Sequence, residues 1–188
     1  MVFGEAKTKV KAVRDIELGI ISELMRNARM SDRDVARRLG VSQPTVSRTR
    51  HKLEKEGYIR GYIIVPDLLK LGFQIVATTF VRFKENLNTE QKETFRKRAQ
   101  ERFKDDSYAT SVIMFERGMG LGYTGIIVSL HESYASYARM LGMIKQFAVL
   151  EPDVQSFLSD LNDTVHYRPL SFGPVAQHIL TLIKERKQ

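Results

Sequence analysis

The sequence predicts an α+β protein with two domains, and three observations carry that prediction. Apolar residues recur at helical spacing through the first 57 residues, whereas strand-like and helix-like segments alternate from about residue 73 onward. Positive charge is concentrated early, because residues 1–73 contain 15 Lys and Arg against 9 Asp and Glu. We therefore expect a helical domain over residues 1–66 and a mixed domain over residues 67–188.

Composition excludes several classes of protein. The chain has 188 residues, 43% of them hydrophobic, and a formal net charge of +8, which suits two small domains and an anionic partner. It contains no cysteine, so disulfide and thiolate chemistry are excluded. No apolar run approaches the ~18 residues that cross a membrane, and no signal-peptide core follows the N-terminal charges. We expect a cytoplasmic protein without a membrane partner.

Two short helices are predicted first. Ser31 stands three residues before Asp34, which is typical of a capping box, and Gly40 ends the second helix. The first helix ends near Asn27 and carries one apolar stripe: Val13, Ile16, Ile20, Ile21 and Leu24.

A third helix follows a tight turn at Gly40 and Val41. Ser42 can cap it, Pro44 is tolerated in its first turn, and Gly57 ends it. Two short helices joined by a glycine-containing turn make a helix-turn-helix module. If Val46 and Leu53 face the other helices, the remaining polar and cationic side chains can contact phosphates and base edges of double-stranded DNA. The predicted DNA-binding residues are Ser42, Gln43, Thr45, Ser47, Arg48, Arg50 and Lys52.

The second domain follows a strand-like segment, residues 58–65, and a proline-started hinge, residues 66–72. Asn88, three residues before Gln91, is predicted to open one helix, and Ser133 to cap another. The order strand, helix, strand, strand, helix, strand is that of a ferredoxin-like βαββαβ domain. The strands are predicted over residues 73–83, 107–115, 124–130 and 154–161.

The last part of the sequence predicts two further elements. Residues 165–172 are consistent with an edge strand, where Pro169 is allowed. An amphipathic C-terminal helix carries Val175, Ile179, Leu182 and Ile183 on one stripe, and we expect it to pack on the second domain or on a sister subunit.

The segment IELGIISELMRNARMSDRDVARRLGVSQPTVSRTRHKLEKEGYIRGY, residues 16–62, resembles the DNA-binding module of the Lrp/AsnC (feast/famine) family of transcription regulators. The similarity continues more loosely to about residue 170. It implies a sequence-specific regulator whose ferredoxin-like domain forms a homodimer or higher oligomer, so that paired modules contact a pseudo-palindromic site.

In that family, a loop before the third strand of the second domain contributes to amino-acid binding between subunits. The corresponding loop here is Gly118–Ile126, with Thr124 and Gly125 where the family often has an acidic residue. The sequence leaves open an amino acid, another small-molecule effector, or none. The candidate effector-binding residues are Gly122, Tyr123, Thr124 and Gly125.

Other functions fit the same residues less well. The glycines of this loop precede a strand, whereas a phosphate cradle must open a helix, so a hairpin loop is favoured. The four histidines show no metal-ligand spacing, and we expect no metal and no cofactor. Siroheme decarboxylases resemble the same family, so an enzyme of tetrapyrrole metabolism is the alternative function. Because His131 and His166 are isolated, we expect no enzyme activity and no catalytic residues.

Overall fold

The structure is a computed structural model that describes residues 13–102, 112–163 and 171–185. The chain divides into two compact units. One consists of Met1–Val65 together with Tyr167–Gln188, and the other of Pro66–His166. The first unit is helical, and the second contains a four-stranded sheet, so the α+β class is as predicted.

The helical unit begins with three helices: α1 (Asp15–Arg26), α2 (Asp32–Leu39) and α3 (Gln43–Lys55). The predicted caps are present, since the side chains of Ser31 and Ser42 accept hydrogen bonds from the amides three residues later. Gly40 ends α2 in the left-handed conformation, with φ of 66°, where glycine carries no steric penalty. Local sequence therefore sets the start and end of the turn between α2 and α3.

The core of the helical unit contains the predicted apolar stripes of α1, α2 and α3. Ile20, Val35, Val46 and Leu53 are completely inaccessible to solvent. Around them pack the partly buried residues Ile16, Ile21, Leu39, Val41 and Ile59. Burial of each large aliphatic side chain contributes about 1.5–3 kcal/mol, so this cluster holds α3 against α1 and α2.

The C-terminal helix α6 (Gly173–Glu185) packs on α1 within the helical unit. Ala176 is fully buried there, and Ser22 of α1 donates a hydrogen bond of 2.8 Å to the Ala176 carbonyl. Arg26 donates to Gln177 Oε1 at 2.6 Å. Within the chain, α6 therefore packs on the helical unit and not on the second domain, which was one of the two predicted partners. An apolar stripe shows that a helix needs a packing partner, but it does not identify the partner.

The segment Tyr58–Val65 is not a strand, although its β-branched and aromatic residues predicted one. Ile63 and Ile64 are 72% and 79% exposed, and no described strand pairs with the segment. Residues 67–72 form turns that end at Gly72, as expected for a hinge.

The sheet unit has the predicted βαββαβ order. Its elements are β1 (Ile75–Val81), α4 (Thr89–Arg102), β2 (Val112–Gly120), β3 (Tyr123–His131), α5 (Tyr134–Lys145) and β4 (Gln155–Asp160). The strands are antiparallel in the order β2-β3-β1-β4, the ferredoxin-like arrangement. The Asn88 and Ser133 caps are present, with Gln91 N–H donating to Asn88 Oδ1 at 2.8 Å. The predicted edge strand over residues 165–172 and the predicted helical position of Phe103 lie largely or wholly outside the described residues.

The two faces of the sheet differ in burial. Ala77, Val81 and Ile127 point toward α5 and form a core with Tyr137 and Met140. The opposite face, here called the open face, keeps apolar side chains partly or largely exposed. It is lined by Val76, Thr78, Phe80, Met114, Ile126, Val128, Leu130 and Phe157, which are cross-strand neighbours.

Candidate nucleic-acid interface

Helix α3 has one buried and one exposed side. Val46, Thr49 and Leu53 point into the core, and the opposite side of the helix is exposed to solvent. The exposed side carries Pro44, Ser47, Arg48, His51 and Lys55, and Gln43 at the start of the helix is also exposed. The exposed side is polar and cationic, as a helix that contacts DNA requires.

The hydroxyl groups at the start of α3 serve the helix cap. Ser42 Oγ accepts from the Thr45 amide at 3.3 Å and lies 2.8 Å from Thr45 Oγ1. Ser42 remains exposed and Thr45 half-buried, so both hydroxyls stay within reach of a phosphate at the N-terminus of α3.

Arg50 is held by the helical unit and does not project into solvent. Its Nε lies 3.1 Å from Asp32 Oδ1, its Nη2 donates to the Met30 carbonyl at 3.0 Å, and 20% of its side chain is exposed. Its guanidinium also lies 5.9 Å from the ring centroid of Tyr62, whose hydroxyl donates to Glu54 at 2.6 Å. Arg50 thus joins α3 to the start of α2 and to the segment after α3.

Lys52 makes an ion pair with Glu17 of α1, whose side chain is 6% exposed, and Arg14 also donates to Glu17. Burial raises the pKa of Glu17, but the hydrogen bonds from Lys52 and Arg14 outweigh it and bring the pKa to about 2. The carboxylate is therefore charged in the folded protein, and Lys52 and Arg14 satisfy it.

Helical spacing in the sequence could have indicated that Arg50 and Lys52 lie beside the core and not on the exposed side of α3. Arg50 comes four residues after Val46 and three before Leu53, and Lys52 comes three after Thr49, so both flank the buried stripe. Their acidic partners could not be found from the sequence, because Asp32 and Glu17 lie 18 and 35 positions away along the chain. His51 and Lys55, which are absent from the predicted set, lie on the exposed side.

Arg48 is exposed and forms no ion pair with any of the residues that the structure describes. Ser47 and Gln43 are exposed as well. Of the seven predicted DNA-binding side chains, these three are free to reach a ligand, and arginine and glutamine can each pair with one base edge through two hydrogen bonds.

The predicted effector loop is a tight hairpin in the sheet unit. Leu121 and Gly122 connect β2 to β3 with φ angles of 53° and 79°, and a type I′ turn requires positive φ at both positions. Arg82 donates to the Gly122 carbonyl at 2.8 Å and lies over the Tyr123 ring, 5.2 Å from its centroid. The glycines of this loop lie within the hairpin, and a strand, not a helix, follows the turn.

The other loop residues are engaged inside the sheet unit. Tyr123 is 6% exposed and hydrogen-bonds Asp153 at 3.3 Å, and burial followed by the Asp153 charge raises the pKa of its hydroxyl. Thr124 Oγ1 accepts from the Phe83 amide at 2.8 Å. A Cβ at Gly125 would lie 2.9 Å from Val81 Cγ2. The aspartate expected from the family resemblance would therefore not fit at Gly125 unless Val81 moved.

Of the two histidines considered as catalytic candidates, the structure describes His131. His131 is fully buried, with Nε2 2.9 Å from Ser129 Oγ, and burial lowers its pKa. His166 lies outside the described residues, among which no group of three His, Cys, Asp or Glu could hold a metal ion. An open groove of about 1030 Å³ lies between α4 and β2, and residues 122–125 do not line it.

Comparison with known proteins identifies the helical unit. Residues 13–60 match the family model of the winged helix-turn-helix DNA-binding domain. The chain is 36% identical over 69 residues to the leucine-responsive regulatory protein of Rhizobium meliloti, a match that covers 37% of this chain and 44% of that protein. A solved AsnC family transcriptional regulator from Agrobacterium tumefaciens has the same fold, with a TM-score of 0.65 at 18% identity, covering 85% of this chain and 97% of that one. The helical unit is thus similar to the winged helix-turn-helix module of a leucine-responsive regulator, and the fold is similar to that of an AsnC family regulator.

The chain spans about half the length of the curated relatives it matches, 44% and 51% for two of them. A transcriptional regulator of Neisseria meningitidis, solved in complex with L-methionine, has the same fold, with a TM-score of 0.62 at 16% identity, covering 87% of this chain and 99% of that one. Among the described residues, no helix is long and apolar enough to cross a membrane.

Proposed function

We propose that the protein is a homo-oligomeric, sequence-specific DNA-binding transcription regulator of the Lrp/AsnC type. The observation that carries the proposal is the exposed polar and cationic side of α3 within a winged helix-turn-helix unit. Positive charge near a surface supports binding to phosphates, and a helix with free arginine and glutamine side chains supports discrimination between bases.

The proposed roles of the seven residues follow from their contacts. Gln43, Ser47 and Arg48 contact base edges, because their side chains are exposed. Ser42 and Thr45 contact phosphate at the N-terminus of α3. Arg50 and Lys52 are positioning residues, which hold α3 through Asp32 and Glu17. His51 and Lys55, on the exposed side of α3, are further phosphate contacts beside Ser42 and Thr45.

The proposed homodimer forms through the open face of the sheet. Phe157 on β4 is 68% exposed and Met114 on β2 is 40% exposed. The half-buried Phe80, Ile126 and Val128 of β1 and β3 lie between these two edge strands. Contiguous apolar surface of this kind is typical of an interface, and a two-fold pair would contact a pseudo-palindromic site.

A small-molecule effector, if bound, would contact the main chain of the Leu121–Gly122 turn and not the side chains of Tyr123 or Thr124. Both of those side chains already have partners inside the sheet unit. The Neisseria meningitidis relative was solved with L-methionine, and this supports an amino acid as the first class to test. Thermal unfolding of the full chain with each amino acid would identify a ligand by a raised Tm.

The experiment that tests the main proposal is selection of bound fragments from genomic DNA by the purified full chain. We expect enrichment of fragments that share a pseudo-palindromic sequence, and an Arg48→Ala variant that loses the enrichment. Recovery of random fragments by the unaltered chain would contradict sequence-specific binding. An absorbance band of a tetrapyrrole in the purified protein would instead favour the enzyme alternative.

A further inference from the structure

The C-terminal helix α6 gives the helical unit a second connection to the sheet unit. The sheet unit is Pro66–His166, so its first residue follows the helical unit and its last residue leads back into it. One connection enters at Val65–Pro66, and the other runs through residues 164–170 into α6. A helical unit without a docked α6 would have the first connection alone.

The docking of α6 on α1 is a specific packed contact. Ser22 and Ala176 are both fully buried where the helices meet, and small side chains at these positions allow close approach. The Ser22 hydroxyl is satisfied by the Ala176 carbonyl at 2.8 Å, so this polar group is paired within the interface. Arg26 and Gln177 add an exposed hydrogen bond at its edge.

Two short connections restrict rotation more strongly than one. The seven residues 164–170 can extend over at most about 25 Å, so α6 cannot move farther than that from the end of the sheet unit. With α6 docked, this connection holds the helical unit in addition to the first connection. Units joined by a single flexible segment are expected to move relative to one another by default.

We propose that docked α6 is a specificity-determining element that makes the regulator discriminate between half-site spacings. This inference rests on the proposed function, because spacing has meaning only for a dimer on a pseudo-palindromic site. Each added base pair moves a half-site along and around the duplex, so modules of restricted orientation fit one spacing, whereas loosely tethered modules fit several.

The decisive variant lengthens the second connection and leaves α6 intact. About twenty Gly and Ser residues inserted after Asp163 make this connection slack, as a flexible coil. The matched control carries the same residues appended after Gln188. The probes are duplexes with one selected half-site, and duplexes with two half-sites separated in single-base-pair steps over one helical turn of about 10 base pairs.

We expect the unaltered chain and the control to vary about ten-fold or more in affinity across these spacings, and the slack variant about three-fold or less. Affinity for the single half-site should stay within about two-fold for all three proteins, because the α3 surface is unchanged. Full spacing discrimination by the slack variant would overturn the inference, and intact half-site binding would leave the proposed function standing. Failure of the unaltered chain to prefer the half-site over random DNA would instead defeat the proposed function.

A second variant tests the docking itself. Ala176→Glu places a charged side chain in the fully buried contact, and His178→Glu makes the matched change at an exposed position of α6. A detached 13-residue helix is marginally stable in water, so rapid hydrogen exchange in α6 and a flattened spacing profile are expected for Ala176→Glu alone. Rapid hydrogen exchange in α6 of that variant together with an unchanged spacing profile would overturn the inference.

Discussion

At the scale of single residues, Arg48 and Lys52 lie one turn apart on α3 but have different surroundings. Arg48 is exposed and makes no ion pair with the described residues, whereas Lys52 is bound to the buried carboxylate of Glu17. A similar positive charge is therefore available for DNA in one case and committed to the fold in the other. Substitution of the two residues should affect different measurements.

Arg48→Ala should weaken binding to selected DNA without destabilising the protein. Removal of a side chain that pairs with a base edge costs about 1–3 kcal/mol of discrimination, while an exposed substitution changes unfolding free energy by about 0.5 kcal/mol or less. Competition with duplexes substituted at each position would measure the first quantity, and thermal melting the second. An equal drop in affinity for every sequence would assign Arg48 to phosphate binding.

Lys52→Ala should destabilise the helical unit by about 1–3 kcal/mol, because it removes a partner from the buried Glu17 carboxylate. Lys55→Ala is the matched control, since Lys55 is exposed on the same helix and outside the ion pairs of the described residues. Urea unfolding would compare them. Equal stability of the two variants would show that the Glu17–Lys52 pair contributes nothing.

Glu17 should make the stability of the protein depend on pH between about 5 and 2. Its pKa is about 2 in the folded protein against an ordinary value of 4.5, so its stabilising effect is complete above pH 4.5 and disappears as pH falls toward 2. Over that interval the stabilisation falls by about 3 kcal/mol. Urea unfolding of wild type and Glu17→Gln measures it, and the difference should shrink with acidification. A constant difference would refute the assignment.

At the scale of elements, signals that act over a few residues predicted the structure well. The caps at Ser31, Ser42, Asn88 and Ser133 are present because each side chain contacts an amide three residues away. The Tyr58–Val65 segment has strand-forming residues, but a strand also needs a partner strand and a buried face. Propensity alone supplies neither, so this prediction was wrong.

The hairpin between β2 and β3 offers a test at this scale. Leu121 adopts a φ of 53° and is 82% exposed, so its side chain gains little from packing while its backbone is in a conformation that leucine disfavours. Leu121→Asn should stabilise the protein by about 0.4–1 kcal/mol, because asparagine tolerates this conformation. Leu121→Val should destabilise it. Melting temperatures that moved in the same direction for both variants would contradict the turn geometry.

At the scale of the whole molecule, the open face of the sheet should mediate association. Phe157→Glu replaces an apolar side chain that is 68% exposed on this face, so it should dissociate the proposed dimer without unfolding the monomer. Met143→Glu is the matched control, because Met143 is 60% exposed on α5, which packs on the other face. Light scattering at micromolar concentration would compare them. Dissociation by Met143→Glu alone would place the interface elsewhere.

The sequence predicted a helical region and a sheet region but not that the C-terminal helix returns to the first. Charge asymmetry and element order located the helical and sheet regions, because both are properties of contiguous segments. Ser22 and Ala176 are 154 positions apart, and nothing in their local sequence marks them as neighbours. The ion pairs of Arg50 and Lys52 were not predicted for the same reason, because their partners are distant along the chain.

Because α6 packs on α1, the helical unit cannot be completed during synthesis until α6 has been made. Its first three helices leave the ribosome early, but the helix that covers Ser22 is made more than 100 residues later. At about 5–20 residues per second, the delay is on the order of 5–25 seconds. Throughout that interval the nascent chain carries a complete set of α3 side chains beside an uncovered patch on α1. The sheet unit can therefore fold before the helical unit acquires its last helix.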